Sequence, residues 1–225
     1  MFQKLLGNFE VRRRRPPLAR FNLPLDRGVV ERLLYFRRMF ERVANIAGDV
    51  VECGVGKAKS FQMLALLAYE EGRGRHLWGF DSFEGYPEVS PEDRSPRNLH
   101  KGDWNVINAE DVFPILQGAG LGREFLDSHV TVVKGFFEDA LAKTPIEGIA
   151  LLHLDVNLYR SYLTCLEELF PKVAPGGVVM FDEYMNEDEA IKCPGAKKAI
   201  DEFFSGTSYR PVRDPAYGKY YLVKS

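Results

Sequence analysis

Short apolar runs alternate with amphipathic helical patterns along most of the chain, and this alternation limits the possible folds more than any other feature. The runs are nearly continuous in apolar character, as in GIALLHLD at residues 148–155, which is typical of strands buried on both faces. Parallel strands need a crossover between them, and helical patterns fill the intervening segments. We therefore predict an α/β fold: a Rossmann-like doubly wound sheet, mostly parallel, with helices on both faces.

These patterns place the individual elements along the chain. The final run, YYLVK at residues 220–224, follows the hairpin-like segment RPVRDPAYG and is predicted to be an antiparallel last strand. The other strands are predicted at residues 48–55, 76–81, 129–135, 148–155 and 176–183. Helices are predicted at residues 28–46, 60–72, 109–121, 136–145, 162–173 and 195–204.

Length and charge indicate one domain preceded by a basic arm. Of the 225 residues, 45% are apolar, which suits a single domain over residues 28–225 better than two small domains. Residues 1–27 include Arg12–Arg15. Such a basic arm could bind nucleic acid, acidic lipid or a partner subunit, or it could lie solvated over the surface of the domain. We favour the solvated arm, because the formal net charge of the chain is -2 and the rest of it has no basic excess.

Membrane and secretion signals are missing from this sequence. No apolar run reaches the roughly 20 residues that span a bilayer. The sequence also shows no positively charged start followed by an apolar stretch, the pattern typical of a secretory signal. Cys53, Cys165 and Cys193 are an odd number without metal-type spacing, so we expect reduced thiols in a cytoplasmic protein with no membrane partner. The amphipathic helix at residues 28–46 is compatible with a homo-oligomer.

The end of each of the five parallel strands carries glycines or acidic residues, a pattern that core packing alone does not produce. In an open parallel sheet, ligands bind beyond the carboxyl ends of the strands, where the strand order reverses. We therefore predict one crevice at this edge of the sheet. In strand order, the residues there are Glu52, Gly54 and Gly56, then Asp81, Ser82 and Phe83, then Gly135, Phe136 and Phe137, then Asp155 and Asn157, then Asp182 and Glu183.

The first strand ends indicate a nucleoside ligand without a phosphate. The turn ECGVGKA has Gly54 and Gly56 but lacks the third glycine of a dinucleotide-binding turn. Asp81 lies 29 residues after Glu52, at the end of the next strand, where an acid accepts hydrogen bonds from ribose hydroxyls. Phenylalanines after the second and third strands offer an apolar slot for a base. S-adenosylmethionine is the ligand that best fits this combination.

Several segments, in this order, closely resemble the macrocin O-methyltransferase family. They include GDVVECGVGKAKS, GFDSFEGYP, HLDVNLY and LFPKVAPGGVVMFDEY, and the similarity extends from about residue 47 to residue 205. Members of this family are class I S-adenosylmethionine-dependent enzymes, many of which methylate sugar hydroxyls of natural products with a divalent metal. The resemblance implies an O-methyltransferase for a small hydroxylated acceptor, a sugar or glycosylated metabolite, with S-adenosylmethionine and Mg²⁺ as cofactors.

The resemblance also implies roles for individual residues. Asp155, Asp182 and Glu183 would bind Mg²⁺. The family commonly has an acid where this chain has Asn157 and an aspartate where it has Glu183, but asparagine and glutamate still offer oxygen ligands to a hard cation. The residues implied to border S-adenosylmethionine are Glu52, Gly54, Gly56, Ser60, Asp81, Ser82, Phe83, Gly135, Phe136, Phe137 and Asp155.

Asp155 is also the predicted catalytic base. Three carboxylates at adjacent strand mouths repel one another unless a cation or protons lie among them, which agrees with a metal site. A divalent ion would lower the pKa of an acceptor hydroxyl, and Asp155 would accept its proton. His153 is an alternative base, but we favour a core position for it because it lies within the apolar run.

The proline-rich stretch at residues 84–108 is the least regular part of the sequence, and we predict that it forms a lid over the acceptor. Trp104 offers a face for stacking on a sugar or an aromatic acceptor. Tyr159 and Tyr184 are further candidates for acceptor contact, although packing is their favoured role.

Two other functions stay open at this stage. A nucleic-acid methyltransferase would use Arg12–Arg15, but residues 155–159 read DVNLY where amino-base methylases of this fold carry an Asn/Asp-Pro-Pro-aromatic turn. The second open function is that of a non-catalytic cofactor-binding or assembly protein. The acid cluster argues against it, because such a protein would not need these carboxylates.

Overall fold

The computed structural model describes residues 25–184 and 191–225, and Arg12–Arg15 of the predicted arm lie outside these ranges. Its strands are β1 (Asp49–Cys53), β2 (Leu77–Asp81), β3 (Val130–Lys134), β4 (Ile149–Leu154), β5 (Val173–Phe181), β6 (Val212–Arg213) and β7 (Tyr220–Val223). They form one sheet in the order β3-β2-β1-β4-β5-β7-β6. The first five strands are parallel, while β7 pairs antiparallel with both β5 and β6.

Helices follow the alternation that the sequence predicts. In the described residues they are α1 (Arg27–Arg42), α2 (Lys59–Glu71), α3 (Ala109–Gly118), α4 (Arg123–His129), α5 (Phe137–Ala140), α6 (Tyr159–Leu169) and α7 (Pro194–Phe203). The predictions missed α4, because it buries only Leu126 within seven residues and so has no apolar periodicity to detect. α1 ends at Arg42 rather than at residue 46, because the chain continues as a turn after Val43.

Hydrophobic clusters pack against both faces of the sheet, as a doubly wound fold requires. One cluster includes the fully buried side chains of Met39 from α1 and of Phe61 and Leu64 from α2. The other includes Tyr162 and Leu166 from α6. All residues of β4 are buried between the two clusters, which explains why its sequence is a continuous apolar run. The predicted Rossmann-like sheet with an antiparallel last strand is confirmed.

The strand order reverses between β1 and β4, so the carboxyl ends of these two strands lie side by side. Gly54 follows β1 with a φ of +91° and lies against the main chain of Asp155. A Cβ atom on Gly54 would be 1.9 Å from the Asp155 carbonyl oxygen, which is far inside van der Waals contact. Glycine is therefore required here, and it brings the two strand ends together at the predicted crevice.

None of the helices in the described residues has the length and apolar character that a bilayer span requires. Cys53, Cys165 and Cys193 are buried and are not joined by disulfide bonds.

Candidate active site

A cavity of about 470 Å³ opens at the carboxyl ends of the parallel strands, beside the switch between β1 and β4. It brings together most of the predicted site residues. Those that line it are Gly54, Gly56, Ser60, Asp81, Ser82, Gly135, Phe136, Phe137, Asp155, Asp182 and Glu183. Two others differ from the prediction: Glu52 and Phe83 are buried in the interior and do not belong to the part of the wall formed by described residues.

The side-chain carboxylate of Asp81, at the end of β2, is hydrogen-bonded to the glycine turn after β1. Gly56 and Ala58 have left-handed φ angles of 53° and 57°, so the chain turns sharply before α2 begins at Lys59. Asp81 Oδ2 accepts a hydrogen bond from Gly56 N at 2.9 Å, and Asp81 Oδ1 accepts one from Phe83 N at 2.8 Å. These bonds fix the carboxylate at the cavity wall, where its remaining lone pairs can accept hydrogen bonds from a ligand.

Glu52 and His153 form a buried pair beneath the cavity. His153 Nδ1 lies 2.7 Å from Glu52 Oε1, and the two side chains are 1% and 0% exposed. Burial raises the pKa of Glu52 although His153 opposes this change, and Glu52 Oε2 has no hydrogen-bond partner within the described ranges. The ring of Phe36 from α1 packs edge-on against His153. The side chain of Glu52 thus faces His153 beneath the cavity, two residues before the glycine turn begins at Gly54.

The acids that follow β4 and β5 meet in one cluster at the cavity, as their positions at neighbouring strand ends predict. One oxygen from each of Asp155, Asp182 and Glu183 lies within 4.8 Å of the others. Burial and the neighbouring carboxylates raise the pKa of Asp155 well above its usual range, and burial and Asp182 raise the pKa of Glu183. The Tyr162 hydroxyl donates to Glu183 Oε2 at 2.5 Å. Added positive charge would therefore favour the ionised cluster.

Two cations that the sequence analysis did not anticipate accompany Asp182. Arg32 of α1 places Nη2 3.2 Å from Asp182 Oδ1, and Lys219 places Nζ 3.2 Å from Oδ2. Burial opposes the ionisation of Asp182, but Lys219 and Arg32 outweigh it and lower its pKa. Tyr217 accepts a hydrogen bond from Arg32 Nε at 3.1 Å and holds the guanidinium in place. No local pattern marks these pairs, because Arg32 and Asp182 are 150 positions apart.

The predicted lid at residues 84–108 is attached to the strand end that carries Asp155. Arg97 donates from Nη1 to Asn157 Oδ1 at 2.7 Å. Asp93 Oδ1 accepts a hydrogen bond from the N–H group at the start of α6, at 2.8 Å. The amide oxygen of Asn157 therefore accepts a hydrogen bond from the loop, whereas an acid at this position would be a candidate metal ligand.

The aromatic residues predicted to contact an acceptor lie in different places. Trp104 is at the cavity wall and half exposed, and Lys57 Nζ lies over one face of its ring, 5.6 Å from the ring centre. Tyr159 and Tyr184 are not part of the wall that the described residues form. Their hydroxyls donate to Glu202 at 2.6 Å and to Asp201 at 2.7 Å, respectively. Acceptor contact is thus compatible with the position of Trp104, while Tyr159 and Tyr184 pack against the second hydrophobic cluster, the role favoured for them.

The doubly wound sheet, the glycine turn after β1 and the acids after β2, β4 and β5 together define a class I, Rossmann-like methyltransferase. The chain belongs to the macrocin O-methyltransferase family, because the sequence profile described as Macrocin-O-methyltransferase (TylF) matches residues 27–206. The resemblance noted in the sequence is thereby confirmed.

Two relatives and one solved structure illustrate the similarity. Demethyldecarbamoylnovobiocin O-methyltransferase from Streptomyces niveus is 33% identical over 181 residues, which cover 77% of this chain and 65% of the relative. The 8-demethyl-8-(2,3-dimethoxy-alpha-L-rhamnosyl)-tetracenomycin-C 4'-O-methyltransferase from Streptomyces olivaceus is 35% identical over 144 residues, which cover 62% of this chain and 54% of the relative. Calicheamicin methyltransferase CalS11 aligns with a TM-score of 0.78 and 25% identity, over 88% of this chain and 80% of that chain. The chain thus spans less than two thirds of the length of the two relatives.

Proposed function

We propose that this chain is an S-adenosylmethionine-dependent O-methyltransferase that transfers a methyl group to a hydroxyl of a small molecule, a sugar or glycosylated metabolite. The observation that carries the proposal is the single cavity that joins Gly54, Gly56 and Asp81 to the acid cluster. Family membership supports methyl transfer, and a relative named for a rhamnosyl-bearing compound supports a sugar as the acceptor.

The cofactor would lie along the carboxyl ends of β1, β2 and β3. Gly56 leaves the main chain open to close approach by a ligand. Asp81, held by two main-chain N–H groups, would accept hydrogen bonds from ribose hydroxyls. Phe136 and Phe137 would border the base, as their places in the cavity wall allow. S-adenosylmethionine would supply a methyl group activated on a sulfonium.

Asp155 is the proposed base. Its raised pKa makes its carboxylate a stronger proton acceptor than an exposed aspartate, and it lines the cavity. His153, the alternative base, is 1% exposed, bonds Glu52 through Nδ1 and directs Nε2 towards Asp182 at 3.9 Å, so we favour Asp155. Asp155 would take the proton of the acceptor hydroxyl while the cavity walls hold that oxygen in line with the methyl group.

Asp155, Asp182 and Glu183 would hold a divalent metal, and we propose Mg²⁺. Carboxylate oxygens are the ligands that hard cations prefer, and these lie within 4.8 Å of one another. When bound, the cation would lower the pKa of the acceptor hydroxyl. The raised pKa values of Asp155 and Glu183 support a site that gains from added positive charge.

Residues 28–225 would work as one domain, with the loop at residues 84–108 as a lid over the acceptor. The hydrogen bonds of Arg97 and Asp93 attach this loop beside the acid cluster. Trp104 would then stack on the apolar face of a sugar ring.

The proposal is tested by incubating the purified protein with S-adenosylmethionine, Mg²⁺ and a panel of glycosides and nucleotide sugars. We expect at least one acceptor to gain a single methyl group by mass spectrometry, with an equal amount of S-adenosylhomocysteine. Calorimetric binding of S-adenosylhomocysteine without product from any acceptor would contradict the proposal and favour a non-catalytic cofactor-binding protein. The same incubation with EDTA in place of Mg²⁺ tests the metal separately.

A further inference from the structure

Asp182 is neutralised by two cations that come from opposite ends of the described chain. Lys219 precedes β7, and its Nζ lies 3.2 Å from Asp182 Oδ2 and also donates to the Asp182 carbonyl oxygen. Arg32 reaches Oδ1 from α1. All three side chains are at most 26% exposed, so solvent screens these pairs less than it screens surface ion pairs.

The hairpin that carries Lys219 holds it in place. β6 and β7 are paired, and Asp214 at the turn between them accepts a hydrogen bond from Tyr217 N at 2.7 Å. Asp214 is 4% exposed, and its Oδ1 lies 2.8 Å from Nη2 of Arg38 in α1. The hairpin is thus fastened to the helix that supplies the other cation, which limits the freedom of Lys219 to leave Asp182.

We propose that Lys219 and Arg32 are the resident counter-cations of the acid cluster, and that a divalent metal ion competes with Lys219 for Asp182. This inference rests on the metal site of the proposed function. An ammonium group at Oδ2 occupies one ligand direction and repels any second cation brought to the same carboxylate. Lys219 is therefore a positioning residue that holds metal affinity down by occupying one oxygen of Asp182.

The competing cation is supplied by the C-terminal hairpin. Lys219 and Tyr217 lie beyond residues 27–206, which the family profile matches. Within the acid cluster, two cations already offset part of the charge of three carboxylates, so a divalent ion adds to a site that is partly neutralised.

The test compares Mn²⁺ binding to the wild-type full chain and to three variants, by electron paramagnetic resonance titration. Lys219→Met keeps an unbranched apolar stem and removes the charge, and we expect it to bind Mn²⁺ about tenfold more tightly. Lys219→Arg keeps the charge and should retain the wild-type affinity. Lys224→Met is the matched control, because Lys224 bonds the carbonyl oxygens of Phe170 and Pro171 rather than an acid.

Equal or weaker Mn²⁺ binding by Lys219→Met, or no binding by either protein, would overturn the proposal, because removal of a competing cation strengthens a metal site. A purely structural role for Lys219 also gives weaker binding. If circular dichroism shows that Lys219→Met is unfolded, Arg32→Gln replaces it, with the same expected direction. Calorimetry with S-adenosylhomocysteine on the same samples reports on the cofactor site, so failure of the methyltransferase proposal is distinguishable from failure of this one.

Discussion

The two halves of the cavity are held together by different kinds of contact. Beside β1 and β2, main-chain N–H groups hold the site: Gly56 N and Phe83 N donate to the Asp81 carboxylate. Beside β4 and β5, charged side chains hold it: Arg32 and Lys219 contact Asp182 from positions 150 and 37 residues away. The first half thus depends on the shape of the main chain, and the second depends on the balance of charge.

This contrast implies that substitutions in the two halves fail in different ways. Added or lost atoms beside β1 and β2 change the shape of the turn, so they should alter stability and cofactor affinity. Lost charge beside β4 and β5 should alter proton and metal affinity while the fold persists. Buried acids at active sites often oppose stability, so some of these changes should even stabilise the protein.

The largest effect is expected for Asp155→Ala. Without the proposed base, turnover should fall about a thousandfold, while the affinity for S-adenosylhomocysteine by calorimetry stays close to that of the wild type. Asp201→Ala is the matched control, because this carboxylate is exposed and bonds Tyr184 outside the cavity wall of the described residues. If Asp155→Ala loses cofactor binding and its metal dependence is unchanged, Asp155 belongs to the cofactor half of the cavity. That result would contradict the division into two halves.

A comparison of two glycine variants tests the role of main-chain shape. Gly54→Ala should lower the free energy of unfolding by about 3 kcal/mol, because its Cβ would lie 1.9 Å from the Asp155 carbonyl oxygen. Gly56→Ala should lower it by about 1 kcal/mol, because its φ is +53° but no atom lies within 4 Å of the added Cβ. Urea denaturation measures both values. Equal losses would show that contact between the two strand ends is unimportant.

Asp81→Ala should affect the cofactor half alone. It removes an acceptor for Gly56 N and Phe83 N and the proposed acceptor for ribose, so affinity for S-adenosylhomocysteine should fall about thirtyfold by calorimetry. Mn²⁺ affinity should stay at the wild-type value, since the acid cluster is intact. A comparable loss of Mn²⁺ affinity would mean that the two halves are coupled.

The smallest effect is a gain in stability for Asp155→Asn. The folded state raises the pKa of Asp155 above its value in the unfolded chain, so ionisation of this carboxyl opposes folding as the pH rises. Asparagine does not ionise, so the variant should be more stable by about 1 kcal/mol at neutral pH. The difference should shrink as the pH falls and the carboxyl is protonated in both states. Urea denaturation at acidic and neutral pH measures it, and lower stability of the variant at neutral pH would contradict the prediction.

Much of the fold and part of the site were predictable because their signals are local. Continuous apolar runs marked the parallel strands, and glycines and acids at their ends marked the crevice. The meeting of Asp155, Asp182 and Glu183 followed from topology, since neighbouring parallel strands end at the same edge of the sheet. The short helix α4 was missed because a single buried residue gives no periodic signal.

Two polar residues near the strand ends have partners that the sequence does not reveal. Glu52 lies in β1, on the same side of the sheet as His153 of the paired strand β4, and contacts its ring nitrogen at 2.7 Å. Asn157 lines the cavity and accepts a hydrogen bond from Arg97 of the loop. Strand alternation fixes the face on which Glu52 lies, but its partner 101 positions away comes beside it only once the sheet has formed.

By itself, the sequence determined the order of strands and helices, the glycine turn and the residues that stand at the strand ends, because each depends on periodicity or conformational preference within a few positions. Only the tertiary structure decided that Arg32 and Lys219 meet at Asp182. That pairing requires α1 and the C-terminal hairpin to pack together beside β5. The free energy of such an ion pair depends on burial and distance, which exist only once the chain has folded.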